Sequence, residues 1–201
     1  AEQSGDAAMT SWCLVMLSVA VKSRGRYEEA VGLCARAVEL ALGSPDRAAR
    51  EHGPFFMYGM ALADADRLDD AAHAFRKAAD ECEELRVAWL LPDIRALSAE
   101  VQFLRGDWEA AQPEMEAHVD TAGAQGTLLV VTRMRAYLAL MAAARGDRTT
   151  ASLALAPAAS ELTSDNPGLG AAIVGYAAAV LAESESQPEA ALAILQRFWD
   201  S

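Results

Sequence analysis

The sequence has few aromatic residues and no apolar stretch long enough to cross a membrane. Aromatic side chains make up 6% of the 201 residues. Alanine and leucine dominate instead, and this composition favours close-packed helices over sheets. The uncharged stretch 167–182 is shorter than the roughly 20 residues of a membrane span. Because 53% of the residues are hydrophobic, the chain can still bury a sizeable core. We therefore expect a soluble, all-α protein.

The chain also has little positive charge. Its 29 acidic residues outnumber its 17 basic residues, and the formal net charge is −12. Phosphate backbones and anionic membranes would repel such a chain, so we expect no direct contact with nucleic acid or with a membrane. Among the basic residues 15 are arginine and two are lysine, which indicates the codon usage of a GC-rich bacterial genome.

Cysteine is scarce as well. Cys13, Cys34 and Cys82 are an odd number without a CxxC spacing, which argues against a disulfide framework and against a structural zinc site. We expect reduced thiols in the cytoplasm. The sequence does not begin with Met and stops at QRFWDS, so we interpret it as part of a longer multidomain protein.

The sequence does contain a motif that returns every forty residues. RGRYEEAV at 24–31 resembles RGDWEAAQ at 105–112 and RGDRTTAS at 145–152. Aligned on its alanine, the motif occurs five times at intervals of 41, 40, 40 and 40 residues: Ala30, Ala71, Ala111, Ala151 and Ala191. A fixed period of this length is typical of a helical repeat array.

Each copy of the motif has the features of a joint between two helices. Five residues before the alanine stand types that tolerate a left-handed backbone: Gly25, Asp66, Gly106, Gly146 and Ser186. Arginine precedes the three glycines, and acidic residues follow most of the joints, as the helix dipoles favour. The side chains four and seven residues after each alanine are mostly apolar. They lie on the same face of a helix as the alanine.

This periodicity predicts ten helices that pair into five hairpins within one domain, 1–201. The hairpins are expected at 7–42, 47–85, 92–124, 127–162 and 169–200. We name the first helix of each hairpin its A helix and the second its B helix. Gly53 and Pro54 are expected to kink or shorten the A helix of the second hairpin.

The pattern resembles the tetratricopeptide repeat (TPR) superfamily. The closest copy of that repeat is FFMYGMALADADRLDDAAHAFRKAA at 55–79. Its matching positions are Gly59 and Leu62 on the A helix and Leu68, Ala71, Phe75 and Ala78 on the B helix. That family repeats every 34 residues, so hairpins of forty residues have longer helices or loops. The resemblance implies an all-α, right-handed α-solenoid of five TPR-like hairpins.

Forty-residue hairpins rich in Ala and Arg are also similar to the repeat segments of large ATP-binding LuxR-type transcriptional regulators of bacteria. In that group the segment lies between an NTPase module and a C-terminal DNA-binding domain, and it receives an inducer or a regulatory partner. The resemblance implies a non-catalytic segment that senses an inducer or contacts other proteins or sister domains. The alternative is a free-standing TPR adaptor that assembles other proteins.

In the solenoid that the resemblance implies, the A helices line a concave groove. The side chains predicted to lie in this groove are Trp12, Phe56, Met60, Asp64, Asp93, Glu100, Phe103, Arg133, Leu140 and Tyr176. An apolar groove with charged edges would suit a peptide segment, a sister domain or a small-molecule inducer. The alternative is that the apolar members belong to the core, because an alignment error of one residue rotates a helical position by about 100°.

Residues that could carry catalysis are sparse. Glu114 and His118 have an i, i+4 spacing that a metal could use, but no third ligand is apparent. The glycine-rich stretch GLGAAIVG at 168–175 lacks the preceding strand and the glycine spacing of a dinucleotide-binding loop. We therefore expect neither enzyme activity nor a cofactor.

The C-terminal end supports one further prediction. An uncapped end of a solenoid exposes apolar surface. Phe198 and Trp199 would lie at such an end here, so a homodimer is an additional partner hypothesis.

Overall fold

A computed structural model of the protein describes residues 7–125, 128–158 and 170–199. These residues form helices, turns and short connections, and there is no β-strand among them. The prediction of an all-α protein is confirmed. The chain divides into two compact units, Ala1–Arg105 and Gly106–Ser201.

In the first unit, each helix packs mainly against its neighbours along the chain. Its helices are α1 (Ala7–Lys22), α2 (Tyr27–Gly43), α3 (Ala48–Glu51), α4 (Pro54–Asp64), α5 (Leu68–Leu85) and α6 (Leu91–Leu104), with a 3₁₀ turn at Ala88–Leu90 before α6. α1 packs against α2 and α4 packs against α5, as predicted for the first two hairpins. α2 also packs against α4, and α5 against α6, so each B helix contacts the A helix that follows it.

The second unit repeats this arrangement. Its helices are α7 (Trp108–Gln125), α8 (Leu128–Ala144), α9 (Arg148–Leu155), α10 (Ala171–Ser184) and α11 (Pro188–Trp199), and a 3₁₀ turn at Ala156–Ala158 follows α9. α8 packs against α9 and α10 against α11, while α7 contacts α8 and α9 contacts α10. The predicted third hairpin, 92–124, has one helix in each unit. The predicted hairpin segments at 159–162 and 169 lie outside the described residues.

The predicted interruption at Gly53 and Pro54 divides the third predicted helix into α3 and α4. Gly53 has φ +66°, a left-handed conformation that an L side chain rarely adopts, and Pro54 starts α4. A Cβ at position 53 would also lie 2.7 Å from a methyl carbon of Leu90. The left-handed backbone therefore favours glycine, and a side chain at position 53 would also have to displace the Leu90 methyl group.

The five joints share one backbone conformation. Gly25, Asp66, Gly106, Gly146 and Ser186 all have φ between 59° and 87°. At the α4–α5 joint the Asp66 amide donates to the Ala63 carbonyl and the next amide, that of Arg67, donates to Leu62. The α8–α9 joint and the α10–α11 joint make the same pair of bonds. A left-handed residue thus closes one helix and satisfies its last carbonyls before the next helix begins.

Each aligned alanine lies in the first turn of a B helix. All five are buried, the most exposed being Ala191 at 8%. In α4–α5 the helices approach so closely that a Cβ on Gly59 would lie 2.7 Å from the ring of Phe75. Phe75 is itself only 1% exposed, so its ring fills the space that Gly59 leaves open.

Candidate protein-binding surfaces

The A helices α1 and α4 are held side by side by a contact at each end. Near their N-terminal ends the Trp12 and His52 rings lie with centroids 5.2 Å apart. Near their C-terminal ends the Lys22 ammonium donates to the Asp64 carboxylate at 2.6 Å. Both partners of this ion pair are largely shielded from water, with 17% and 23% of their side chains exposed. The two contacts fix α1 and α4 relative to each other.

Four of the predicted groove residues lie on these two helices. We name Trp12, Phe56, Met60 and Asp64 the α1–α4 surface. Trp12 is 40% exposed, whereas Phe56 and Met60 are half-buried one turn apart on α4. The Phe56 ring also contacts the Phe75 ring, with 6.3 Å between centroids. Phe56 is therefore anchored in the hairpin core and still reaches the surface.

The predicted groove residues of α6 are less accessible. Asp93 is 4% exposed and Glu100 is 3% exposed, so both carboxylates lie inside the protein. They are seven residues apart and share one face of the helix. Phe103 is half-buried near the end of α6.

In the second unit the predicted groove residues differ widely in exposure. Arg133 on α8 is half-buried, and Leu140 on the same helix is 9% exposed. Tyr176 on α10 is 53% exposed. Only Tyr176 among these three therefore offers a large surface to a partner. The side chains of Phe198 and Trp199, on which the predicted homodimer depended, lie outside the described residues.

A cluster of charged residues attaches α3 to the end of α5. Arg50 donates to Glu81 at 2.8 Å and to Glu84 at 2.7 and 3.1 Å, and Arg47 donates to the Leu85 carbonyl. The hydrogen bonds that Arg50 donates to Glu84 and Glu81 raise the pKa of Arg50, and the bond that Glu84 accepts from Arg50 lowers the pKa of Glu84. Burial raises the pKa of Glu81, although Arg50 opposes this effect.

Sequence reasoning missed this cluster, although a signal was present. Glu81 and Glu84 are three residues apart, which places both carboxylates on one side of a helix, where one arginine can reach both. Because these donors hold α3 against α5, the cluster is structural.

Two of the three thiols are buried among helices. Cys34 donates to the Ser18 hydroxyl at 3.1 Å and to the Met57 carbonyl at 3.6 Å. Burial raises the pKa of Cys34 and that of Cys82. A raised pKa keeps a thiol protonated and weakens it as a nucleophile. Cys13, in contrast, is exposed on α1.

The depressions on the first unit are open rather than enclosed. One, of about 610 Å³, lies between the α1–α2 and α4–α5 joints and is lined by Gly25, Arg26, Tyr27, Glu28, Glu29, Asp64, Ala65 and Asp66. Another, of about 640 Å³, lies beside the end of α2. Sites for small molecules usually enclose most of the ligand. These open surfaces are better suited to a macromolecular partner.

Glu114 and His118, whose spacing a metal could use, differ in exposure. Glu114 is exposed on α7, whereas His118 is 5% exposed. Within the described residues, no three His, Cys, Asp or Glu side chains are grouped so that they could hold a metal ion. The helices of the described segments include none with the length and apolar character needed to cross a membrane.

No protein-family model matches the sequence, and no curated protein is significantly similar to it.

Proposed function

We propose that the chain is a non-catalytic, TPR-like repeat segment that binds another protein or a sister domain through its A helices. In this proposal the hairpins form a right-handed α-solenoid of five repeats in a bacterial cytoplasm. The larger protein is a LuxR-type transcriptional regulator in which the segment senses an inducer or relays contacts between domains. The resemblance of residues 55–79 to the tetratricopeptide repeat supports this proposal, as do the shared joints.

The α1–α4 surface is the observation that carries the proposal. An exposed tryptophan is a frequent anchor in protein interfaces, because it buries a large area and loses little conformational entropy. Trp12 is held in place by His52, and the Lys22–Asp64 ion pair fixes the helix beside it. Side chains and helices that are already in contact lose less freedom when a partner binds.

The charge of the protein indicates the chemistry of the partner. Glu28, Glu29, Asp64 and Asp66 line the depression together with a single cationic residue, Arg26, and the whole chain has a formal net charge of −12. Acidic surfaces attract basic partners and repel acidic ones. The partner segment should therefore combine an apolar side chain for the Trp12 region with basic residues about 15 Å farther along, toward Asp64.

A binding experiment tests this proposal directly. Peptides that tile the remainder of the encoded protein and the products of adjacent genes would be screened for a rise in melting temperature, since a ligand of the folded state stabilises it. The shift should be lost in Trp12→Ala and retained in Trp89→Ala, because Trp89 is 64% exposed but lies outside the α1–α4 surface. Equal losses in both variants, or no shift with any peptide, would overturn the proposal.

The gene sequence separates the regulator from the free-standing adaptor. A phosphate-binding loop encoded upstream and a helix-turn-helix encoded downstream would support the regulator. A stop codon directly after Ser201 would instead support the adaptor.

A further inference from the structure

One side of α1 is apolar and open to solvent. Cys13, Met16, Leu17 and Ala20 share this side, because residues three and four apart lie on one face of a helix. Met16 is 42% exposed and Leu17 is 50% exposed, and Cys13 and Ala20 are exposed as well. We name these four residues the α1 outer face. It differs from the α1–α4 surface, and its role is independent of the proposed function.

The repeat shows that the corresponding face is buried in the later A helices. The residues equivalent to Cys13 are all buried: Pro54, Ile94, Met134 and Val174. Four residues are equivalent to Met16. Three of them are at most 5% exposed, namely Leu97, Tyr137 and Ala177, and the fourth, Met57, is half-buried. Among the described A helices, α1 alone exposes this face.

A preceding B helix packs against each of the later A helices. α2 packs against α4, α5 against α6, α7 against α8, and α9 against α10. At the first of these contacts Met57 packs against the cluster that contains Ala37, and Cys34 of α2 donates to the Met57 carbonyl. The occupant that fits the α1 outer face is therefore a B helix.

The helix α11 is a B helix with the complementary face exposed. Leu195 is 43% exposed, whereas the equivalent Cys34, Phe75, Met115 and Leu155 are at most 7% exposed. Leu192, one turn earlier, is 56% exposed. The other side of α11 is covered, because Ala191 and Ile194 pack against α10. We name Leu192 and Leu195 the α11 end face.

We propose that the α11 end face of one copy of this chain packs against the α1 outer face of a second copy. This contact continues the series that α2 makes with α4 and α9 makes with α10. Because the two faces differ, each copy keeps one of them unused after pairing, and further copies can add head to tail. Neither face contains a charged residue, so salt should strengthen association by screening the repulsion between two acidic chains.

Sedimentation velocity of the 201-residue chain, from micromolar to millimolar concentration, tests the proposal. The wild type should form species larger than dimers as concentration rises. Met16→Glu blocks the α1 outer face and Leu195→Glu blocks the α11 end face, so each variant alone should stay monomeric at concentrations at which the wild type associates. Each substitution should weaken the contact by roughly tenfold or more, because it places a charge in an apolar interface. Leu153→Glu is the matched control, since Leu153 is 69% exposed on α9 and belongs to neither face.

The mixture of the two blocked variants gives the decisive result. Met16→Glu retains the α11 end face and Leu195→Glu retains the α1 outer face, so together they should form a 1:1 dimer and nothing larger. Helical circular dichroism of each variant confirms that it is folded. A monomeric wild type at every concentration would overturn the proposal. So would a mixture that stays monomeric, or a Leu195→Glu variant that associates like the wild type, which would indicate pairing between two α1 outer faces.

Discussion

The hairpins α4–α5 and α8–α9 occupy the same register but have different side chains at the positions of Gly59 and Phe75. In α4–α5, Gly59 faces the ring of Phe75. Eighty residues later, the equivalent positions are Ala139 and Leu155, which are 1% and 7% exposed. Where the A helix has the larger residue, Ala139 instead of Gly59, the B helix has the smaller one, Leu155 instead of Phe75. The comparison teaches that the pair, rather than either residue, determines how the two helices fit.

The joints of the same two hairpins differ in a similar way. Asp66 adopts φ 59° before α5, and α5 has no side-chain cap. The α8–α9 joint uses Gly146 with φ 78°, and Asp147 then accepts bonds from the Thr150 amide at 3.0 Å and hydroxyl at 2.7 Å. The second joint therefore has the less strained backbone and the better capped helix.

The largest effect is expected when the packing pair of α4–α5 is changed to resemble that of α8–α9. Phe75→Leu leaves a cavity and should lower the free energy of unfolding by about 1–3 kcal/mol. Gly59→Ala forces a methyl group against the Phe75 ring and should cost about 1–3 kcal/mol. The double variant has the Ala–Leu pair of α8–α9. Its free energy of unfolding should therefore fall by less than the sum of the two single losses, by a margin of at least about 1 kcal/mol.

Urea denaturation of the wild type and the three variants measures this coupling. Gly32→Ala is a matched control for Gly59→Ala, because a Cβ at position 32 of α2 would meet nothing within 4 Å. It should stabilise the helix by about 0.5–1 kcal/mol. Strictly additive losses in the double variant would show that Gly59 and Phe75 do not act as a pair.

An intermediate effect is expected when the joint residues are exchanged. Gly146→Ala should lower the free energy of unfolding by about 1–2 kcal/mol, because its left-handed backbone disfavours a side chain while nothing lies within 4 Å to clash. Asp66→Gly should raise it by up to about 1 kcal/mol, since the same strain is removed. Thermal denaturation should show a lower melting temperature for Gly146→Ala and a higher one for Asp66→Gly. Melting temperatures that change in the same direction would contradict the comparison of the two joints.

The smallest effect is expected at the cap that only the second joint has. The amide and hydroxyl of Thr150 lower the pKa of Asp147 below the ordinary aspartate value. Because the folded-state pKa is the lower one, this stabilisation is complete above the unfolded value and is lost as pH falls through the folded value. Asp147→Ala should therefore lower the melting temperature at neutral pH, and the difference should disappear in acid.

Asp147→Asn serves as the control for this charge effect. Asparagine remains a good N-cap, so this variant should keep part of the stabilisation and lose its dependence on acid pH. The melting temperatures of the wild type and Asp147→Ala would be compared from neutral pH to well below about 3.9, the ordinary aspartate pKa. A constant difference between them over this range would exclude an ionised cap.

Much of this fold could be predicted from the sequence because the joints are local. The left-handed conformations at Asp66 and Ser186 follow from the position of each residue relative to an aligned alanine, even though neither is glycine. The break at Gly53 and Pro54 was also visible, since proline starts helices and interrupts them. The contact between Gly53 and Leu90 was not visible, because it depends on how the chain returns after α5.

The candidate surface was harder to predict because exposure depends on neighbouring helices. Asp93 and Trp12 occupy equivalent positions in their A helices, yet Asp93 is 4% exposed and Trp12 is 40% exposed. A periodic pattern assigns both the same role and carries no information on what lies beside them. The Lys22–Asp64 pair was missed for a related reason, as it joins two hairpins across 42 residues of sequence.

The backbone bonds at the joints also bear on how such a chain can change its length during evolution. The Asp66 and Arg67 amides bind carbonyls of the helix they have just left, and the Ala71 amide binds the Arg67 carbonyl. The polar groups at each joint are thus satisfied within a few residues. A gene duplication or deletion of one whole forty-residue module therefore leaves no broken hydrogen bond at the seam.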